Sequence, residues 1–510
     1  MQTLPADIAH PQSLADLLAD YRLPFKKSLN MPIKGLSIDS RQVKPGEVFL
    51  AYPGIKTDGR QYIPQALAAG AAAVLYDPLN FSAENLPNAP VVSFPGLKDH
   101  LGSLAARWFD YPTRSLNIVG ITGTNGKTSC SHFLAHSLMQ LDMPCGVLGT
   151  VGAGFPHALR ASALTTPDVV EVQQFAASLL AQGAKALAME VSSHALVQGR
   201  VNSVHFSTAI FTNLTQDHLD YHGTMAAYGA AKAQLFHWPS LRHAIVNLDD
   251  PFGYALYLEL KAQPHLYVVG YTSNEQTMSL GGHVVQAKQI ISDRNGIQAQ
   301  VITPWGEGRL QSRLVGHFHL HNLLAVLASL GAMFLAEGQS KYKLDDILAV
   351  MAGLTGVPGR MQCFGGGNKP LVIVDYAHTP DALLNVLQAL RAYKPRKLWC
   401  VFGCGGDRDV GKRAVMGRIA SEWSDAVIVT NDNPRTESPE KIVRDIIGDS
   451  KAFTVEYDRA KAIAAAISLA SAGDIVVVAG KGHEDYQLIN GERFHFSDAE
   501  VVEKELLKWV

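Results

Sequence analysis

Residues 116–129, Leu-Asn-Ile-Val-Gly-Ile-Thr-Gly-Thr-Asn-Gly-Lys-Thr-Ser, leave this chain few alternatives. The apolar run Leu116 to Ile121 predicts a strand. Gly123 and Gly126 supply a turn, and a helix is expected to start at Lys127. Strand, glycine turn and helix start form a cradle for a polyphosphate. Small residues let backbone N–H groups approach phosphate oxygens, and the helix N-terminus adds partial positive charge. Lys127 is placed to reach the β- and γ-phosphates, and the Thr128 hydroxyl to hold Mg²⁺. The strict eight-residue signature wants glycine where this chain has Ile121, so the form here is the shorter Gly-x-x-Gly-Lys-Thr. The bland alternative, a glycine turn followed by Lys and Thr by chance, lacks the strand and helix around it. ATP is the expected ligand, with Gly123, Thr124, Asn125, Gly126, Lys127, Thr128 and Ser129 as its contacts.

A chain of 510 residues exceeds one ordinary domain, and about three are expected. Its 44 basic and 46 acidic side chains leave a net charge of −2, which argues against a nucleic-acid partner. The five cysteines (Cys130, Cys145, Cys363, Cys400, Cys404) are scattered. Cys400 and Cys404 have no second pair at zinc spacing, so plain thiols are expected. No run approaches the ~18 apolar residues of a membrane span. The first ten residues lack the basic start and apolar core of an export signal, so a cytoplasmic protein is expected.

Residues 1–95 read as a small α/β unit, with a helix-like segment over 97–109 leading to the phosphate loop. Residues 96–357 repeat an apolar run, a polar or glycine-rich loop and a helix. The polar clusters Glu190-Val191-Ser192-Ser193-His194, Thr212 to His218 and Asn247 to Asp250 each follow such a run. Antiparallel strands are expected within 277–313. After a Gly/Pro-bearing linker over 354–360 the period resumes through 358–510, with charged loops after residues 374, 402, 429 and 479. The expected class is α/β in three domains: a small N-terminal α/β domain, a central mostly parallel ATPase-type sheet and a Rossmann-like C-terminal domain. Ligands of such sheets sit at the strands' carboxyl ends, where the polar clusters fall.

Glu190, closing a strand in the phosphate-loop domain, is a natural Mg²⁺ ligand, because Mg²⁺ prefers carboxylates, phosphates and water. An exposed strand-end glutamate is its bland reading. His218 is a second candidate ligand, against a histidine that only satisfies a hydrogen bond. Lys232 by itself reads as a solvated helix lysine. Arg408, Arg435 and Glu484 by themselves read as surface charge, although together they suit a zwitterion, since arginine pairs bidentately with carboxylate.

The order of motifs is more specific than any one of them. Gly-Thr-Asn-Gly-Lys-Thr is followed by Glu-Val-Ser-Ser-His, Asn-Leu-Thr-Gln-Asp-His-Leu-Asp-Tyr-His, a helical lysine, Asp-Tyr-Ala-His-Thr-Pro-Asp and Gly-Lys-Gly-His-Glu. This series resembles the Mur ligases over nearly the whole chain, least over residues 1–35. It is most similar to the branch adding the third residue of the peptidoglycan stem peptide. The resemblance implies that Ile38, Ser40 and Arg41 contact the uridine nucleotide. Thr165, Thr166, Ser192, Gln198 and Arg200 would hold the muramoyl-dipeptide. Thr128, Glu190 and His218 would serve Mg²⁺, and Lys232 would be carbamylated by CO₂. That reaction needs a neutral amine and hence a depressed pKa. Asn322, Arg360, Asp375 and His378 match positions around the nucleotide. Asp432, Asn433, Pro434 and Arg435 match the motif of relatives that add meso-diaminopimelate, with Arg408, Gly480 and Glu484 as further contacts. Leu164 departs from relatives that carry asparagine there.

The resemblance implies an amide ligase, acting as a monomer with small-molecule partners only. Lys127, Lys232, Glu190 and His218 are its catalytic candidates. A D-glutamyl carboxylate would attack ATP to give an acyl phosphate, which an amine would then displace. An arginine facing the second carboxylate of diaminopimelate gains a pair that lysine cannot form. The same ligase adding L-lysine, folylpolyglutamate synthetase, a small-molecule kinase and a nucleotide switch are the rivals.

Overall fold

The computed structural model describes residues 11–21, 30–54, 57–82, 90–162, 164–274, 282–293, 296–314, 316, 318–336, 338, 340–448 and 453–509. The ten residues behind the export-signal expectation lie outside these. The chain divides into two units. One is Met1–Lys127, Leu134–Val246 and Asp250–Val268; the other is Thr128–Phe133, Asn247–Asp249 and Val269–Val510.

The first unit opens with a parallel sheet of β1 (Gly35–Ser37), β2 (Glu47–Ala51), β3 (Ala73–Tyr76) and β4 (Val91–Ser93), in that spatial order. Val48 to Ala51 are all buried, as a strand covered on both faces requires. One face packs on Leu97, Leu101, Leu104 and Trp108 of the helix Leu97–Trp108. The other packs on Ile63 and Ala66. The helix expected from residue 97 therefore forms, and its apolar face belongs to the first sheet's core.

The same unit holds β5 (Asn117–Thr122), β6 (Cys145–Leu148), β7 (Ala153–Gly154), β8 (Ala186–Glu190), β9 (Phe206–Phe211) and β10 (His243–Asn247). They lie in the order β10-β9-β5-β8-β6-β7, and only the edge strand β7 runs antiparallel. Strand β5 sits between β9 and β8. The loops leaving these three strands, which carry residues 123–126, 190–193 and 212–218, therefore emerge side by side.

β11 (Tyr267–Thr272), most of which belongs to the second unit, pairs in parallel with β12 (His283–Asp293). The antiparallel β13 (Gly296–Thr303) and β14 (Gly306–Ser312) follow. Antiparallel pairing is what residues 277–313 led us to expect, apart from residues 277–281, 294 and 295, which lie outside the described set. A six-stranded sheet then combines β15 (Gln362–Gly365), β16 (Leu371–Asp375), β17 (Leu398–Phe402), β18 (Ala426–Val429), β19 (Phe453–Val455) and β20 (Ile475–Ala479). Its order is β15-β16-β20-β17-β18-β19, parallel except at β15. Both faces are covered: Leu383, Leu387 and Met416 on one, Ile463, Ala466 and Val502 on the other. Because β20 lies between β16 and β17, with β18 next, all four charged loops share one end of the sheet. A hairpin of β21 (Tyr486–Ile489) and β22 (Glu492–His495), not anticipated from the sequence, follows the last loop. The fold is of the expected α/β class, built on large, mostly parallel sheets. Among the described residues no helix is long and apolar enough to cross a membrane.

Candidate active site

The phosphate loop is braced from the loop after β9. Thr124 N donates to Asn213 O (2.8 Å), Asn125 N to Asn213 Oδ1 (2.9 Å), and Thr212 Oγ1 to Asn125 O (2.6 Å). Gly123 has φ +148°, and a Cβ there would lie 1.8 Å from Thr212 Oγ1. Glycine is required here both sterically and conformationally. Gly123→Ala is expected to add roughly 1–3 kcal/mol of backbone strain, push the loop off its brace and weaken ATP binding. Calorimetric titration with a non-hydrolysable ATP analogue checks this, with a thermal melt to verify folding.

Lys127 Nζ folds back onto the carbonyls of Gly123 and Thr124, both at 2.8 Å. Lys232 Nζ donates to the same Gly123 carbonyl at 2.8 Å and sits 4.3 Å from the centre of the Tyr228 ring. Lys232 is only 1 % exposed, which corrects its reading as a solvated helix lysine. Burial, then the charge of Lys127, hold its amine well below the usual lysine range, with Asp217 pulling the other way. An amine so placed is biased toward the neutral, nucleophilic form.

Glu190 closes β8 and is 1 % exposed, so it is not a solvated strand-end carboxylate. Thr150 donates to it twice, from N to Oε1 (2.7 Å) and from Oγ1 to Oε2 (3.2 Å). Thr150 Oγ1 in turn meets Thr165 Oγ1 at 3.0 Å, and Thr166 Oγ1 donates to the Glu190 carbonyl at 2.7 Å. Ser192 N donates to Thr166 Oγ1 (3.2 Å), and Arg200 Nη1 to the Thr166 carbonyl (3.1 Å). Arg200 also pairs with Gln198 Oε1, and Gln198 Nε2 reaches the Tyr221 hydroxyl (3.2 Å). The five residues assigned to the dipeptide thus form one connected patch around Glu190.

His218 stands at φ +53°, half exposed, with Nε2 3.4 Å from Asp217 Oδ2 and its ring edge-on to His194 (4.8 Å). Burial, then the charges of His218 and His222, hold His194 at about 4. Electrostatics link the patch to the first sheet, because Tyr52 senses Asp168 and Arg200, and Asp168 senses Asp39. In the nearby loop Ile38 packs on the first core, Ser40 Oγ donates to Gln65 Oε1 (3.1 Å), and Arg41 pairs with Asp39 at 2.7 Å while its side chain stays 79 % exposed. Leu164, the position that departs from relatives, is also exposed.

In the second unit Asp375 accepts from Met361 N and Ala377 N, each at 2.8 Å. Burial raises its carboxyl above the ordinary value, against the pull of Arg360. Arg360 lies 4.4 Å from the centre of the Tyr376 ring, and His378 Nδ1 is 2.8 Å from Tyr376 O. Asn322 is buried on the helix Phe318–Phe334, with Oδ1 3.6 Å from Cys130 Sγ, one turn into the helix that follows the phosphate loop.

The strand-end loops of the six-stranded sheet are tied into a cluster. Asn433 Nδ2 donates to Glu484 Oε2 (2.9 Å). The fully buried Lys481 reaches both Glu484 Oε2 (3.0 Å) and Asn433 Oδ1 (3.2 Å). Arg435, at φ +53°, donates from Nη1 to Gly406 O (2.8 Å). Its backbone joins the β21–β22 hairpin through Leu488 O (3.0 Å) and Asn490 N (2.7 Å). Pro434 connects Asn433 to this strained residue. A Cβ on Gly480 (φ +116°) would come within 2.6 Å of Asp432 Oδ2. Arg408 is exposed at the rim of the same cluster.

Among the described residues no three His, Cys, Asp or Glu side chains are grouped to hold a metal. In the second unit Thr128 offers a hydroxyl; in the first, Glu190 offers hard oxygens and His218 an imidazole. This sparse set suits Mg²⁺, which keeps waters and phosphate oxygens in its shell. Cys400 and Cys404 are buried free thiols, pushed up to about 12 chiefly by burial.

Three family models match the chain: the Mur ligase middle domain over residues 121–330, the Mur ligase glutamate ligase domain over 359–482, and the Mur ligase family catalytic domain over 32–109. The chain is 48 % identical over 480 residues to the UDP-N-acetylmuramoyl-L-alanyl-D-glutamate--2,6-diaminopimelate ligase of Pseudomonas putida, covering 94 % of this chain and 95 % of that one. The chain belongs to the Mur ligase family. A protein of the same description from Chromobacterium violaceum is 46 % identical over 497 residues, covering 96 % of this chain and 98 % of that one. A solved structure so described superposes with a TM-score of 0.69 at 34 % identity, over 98 % of this chain and 99 % of that one. Folylpolyglutamate synthase from Mycobacterium tuberculosis, with a TM-score of 0.58 at 19 % identity over 74 % of this chain and 91 % of that one, shares the fold alone. Membership makes this Mur ligase an ATP-dependent ligase and sets aside the kinase and switch readings.

Sequence reasoning missed the residues that hold this Mur ligase's site rather than form it. Thr150, Asn213, Tyr228 and Lys481 all touch expected site residues. Asn213 and Lys481, each inside a noted motif, carried a local signal; Thr150 and Tyr228 carried none.

Proposed function

We propose that this Mur ligase joins meso-diaminopimelate to UDP-N-acetylmuramoyl-L-alanyl-D-glutamate, consuming ATP, in the assembly of peptidoglycan precursors. The observation that carries the choice of amino acid is the strand-end cluster in which Asp432, Asn433, Arg435, Gly480 and Glu484 are tied together. Its exposed neighbour Arg408 and the guanidinium of Arg435 suit the two carboxylates, and Glu484 suits an ammonium group. The three spans 1–95, 96–357 and 358–510 then divide the labour: uridine nucleotide, ATP, and incoming amino acid.

The D-glutamyl carboxylate attacks the γ-phosphorus of ATP, releasing ADP and leaving an acyl phosphate. The amine of diaminopimelate then attacks the acyl carbon, and phosphate departs as the amide forms. Lys127 leaves its resting carbonyls to neutralise charge developing on the phosphates. Ile38, Ser40 and Arg41 hold the uridine end, while Thr165, Thr166, Ser192, Gln198 and Arg200 fix the dipeptide so that its carboxylate is oriented for attack. Asn322, Arg360, Asp375 and His378 serve the nucleotide. Thr128, Glu190 and His218 would hold Mg²⁺, which would supply charge neutralisation on the phosphates. Lys232, as a carbamate formed from CO₂, adds a carboxylate beside them.

Phosphate release from ATP tests the reading, with the UDP-dipeptide present and meso-diaminopimelate, L-lysine or no amine added. Release that depends on both the precursor and diaminopimelate is expected. Equal release with lysine would remove the specificity while keeping the ligase.

A further inference from the structure

The loops that carry Asp432 and Gly480 leave different strands, and one buried side chain spans them. Arg459 opens the helix Arg459–Leu469, and its side chain is fully buried. A cation in the first turn of a helix opposes the helix dipole, so local helix energetics do not account for it. Asp498, equally buried, accepts from Nε (2.7 Å) and Nη2 (2.8 Å). The remaining donors reach the Ala479 carbonyl (Nη2, 2.9 Å) and the Asn431 carbonyl (Nη1, 3.3 Å). Those carbonyls belong to the residues immediately before Gly480 and Asp432. The two loops approach closely, since a Cβ on Gly480 would meet Asp432 Oδ2 at 2.6 Å.

We propose that Arg459 is a positioning residue for the incoming amino acid, a planar tie that fixes the spacing of the 431–435 and 479–484 loops. The inference rests on the reading above that these loops bind diaminopimelate. A buried ion pair contributes little net stability compared with well-packed apolar residues, whereas its rigid fork of donors sets geometry. Displacing the loops by an ångström misplaces the amine without touching the nucleotide or the dipeptide.

The experiment is steady-state kinetics of the full-length enzyme carrying Arg459→Lys, and of the doubly apolar Arg459→Met/Asp498→Leu variant, with thermal melts alongside. KM for meso-diaminopimelate is expected to rise roughly tenfold to a hundredfold in both. The KM values for ATP and the UDP-dipeptide should stay near those of the parent. Glu484→Gln is the control for the site itself. If it raises the diaminopimelate KM while a folded residue-459 variant does not, the tie is overturned and the site stands. If Glu484→Gln also leaves that KM unchanged, the site reading fails and takes the tie with it. Variants that only lose melting temperature and active fraction, with every KM unchanged, mark Arg459 as structural and overturn the proposal.

Discussion

Lys232→Met is expected to lower kcat by roughly 10²–10³-fold, the scale for removing one preorganised charge-stabilising group, while leaving the protein folded. The methionine fills the same buried volume without needing solvation, so the substitution separates chemistry from stability. Burial holds the Lys232 amine well below the usual lysine range, so protonating it works against the fold. The unfolded chain takes up that proton more readily. Stability should therefore rise with pH from the depressed value up to the ordinary lysine value near 10.5. In Lys232→Met that part of the slope should disappear, which melting temperatures across the alkaline range will show. Depleting CO₂ should slow the parent enzyme and leave the residual rate of the variant unchanged. A parent indifferent to CO₂ would reject the carbamate.

Arg435→Ala is expected to lower kcat/KM for meso-diaminopimelate by a factor corresponding to roughly 2–5 kcal/mol, the usual loss when one member of a buried charged pair is truncated. The rate with L-lysine should barely change, so the preference expected for diaminopimelate should largely collapse. Arg435→Lys should recover little, because a point charge cannot replace a planar fork already oriented by Gly406 O. Competition between the two amines, read as product ratio, checks this directly. An unaltered ratio would remove Arg435 from the specificity argument.

Much of the candidate site was legible in the sequence because the residues proposed for it sit in contiguous loops after strands. Gly123 to Ser129, Glu190 to Ser192 and Asp432 to Arg435 each announce themselves by composition and position. What stayed hidden came from elsewhere in the chain. Lys232 lies in an alanine-rich helix whose burial depends on what packs over it, so its local sequence pointed to solvent. Thr150 became part of the site only through pairing across to β8, and the hairpin behind Arg435 was too short and polar to read as strands. Glu190 does close a strand as expected, yet its burial follows from β8 lying between β5 and β6, a topological fact rather than a local one.

The left-handed backbone at residue 435 sets a direction for drift. A side chain with a Cβ at φ +53° costs about 1 kcal/mol that glycine would not. On the proposed role of Arg435, selection for the second carboxylate works against that gradient. In a lineage that stopped using diaminopimelate, mutation at this codon would run downhill toward glycine or asparagine. On the role proposed for Arg435, the residue found there would record which amino acid the enzyme selects.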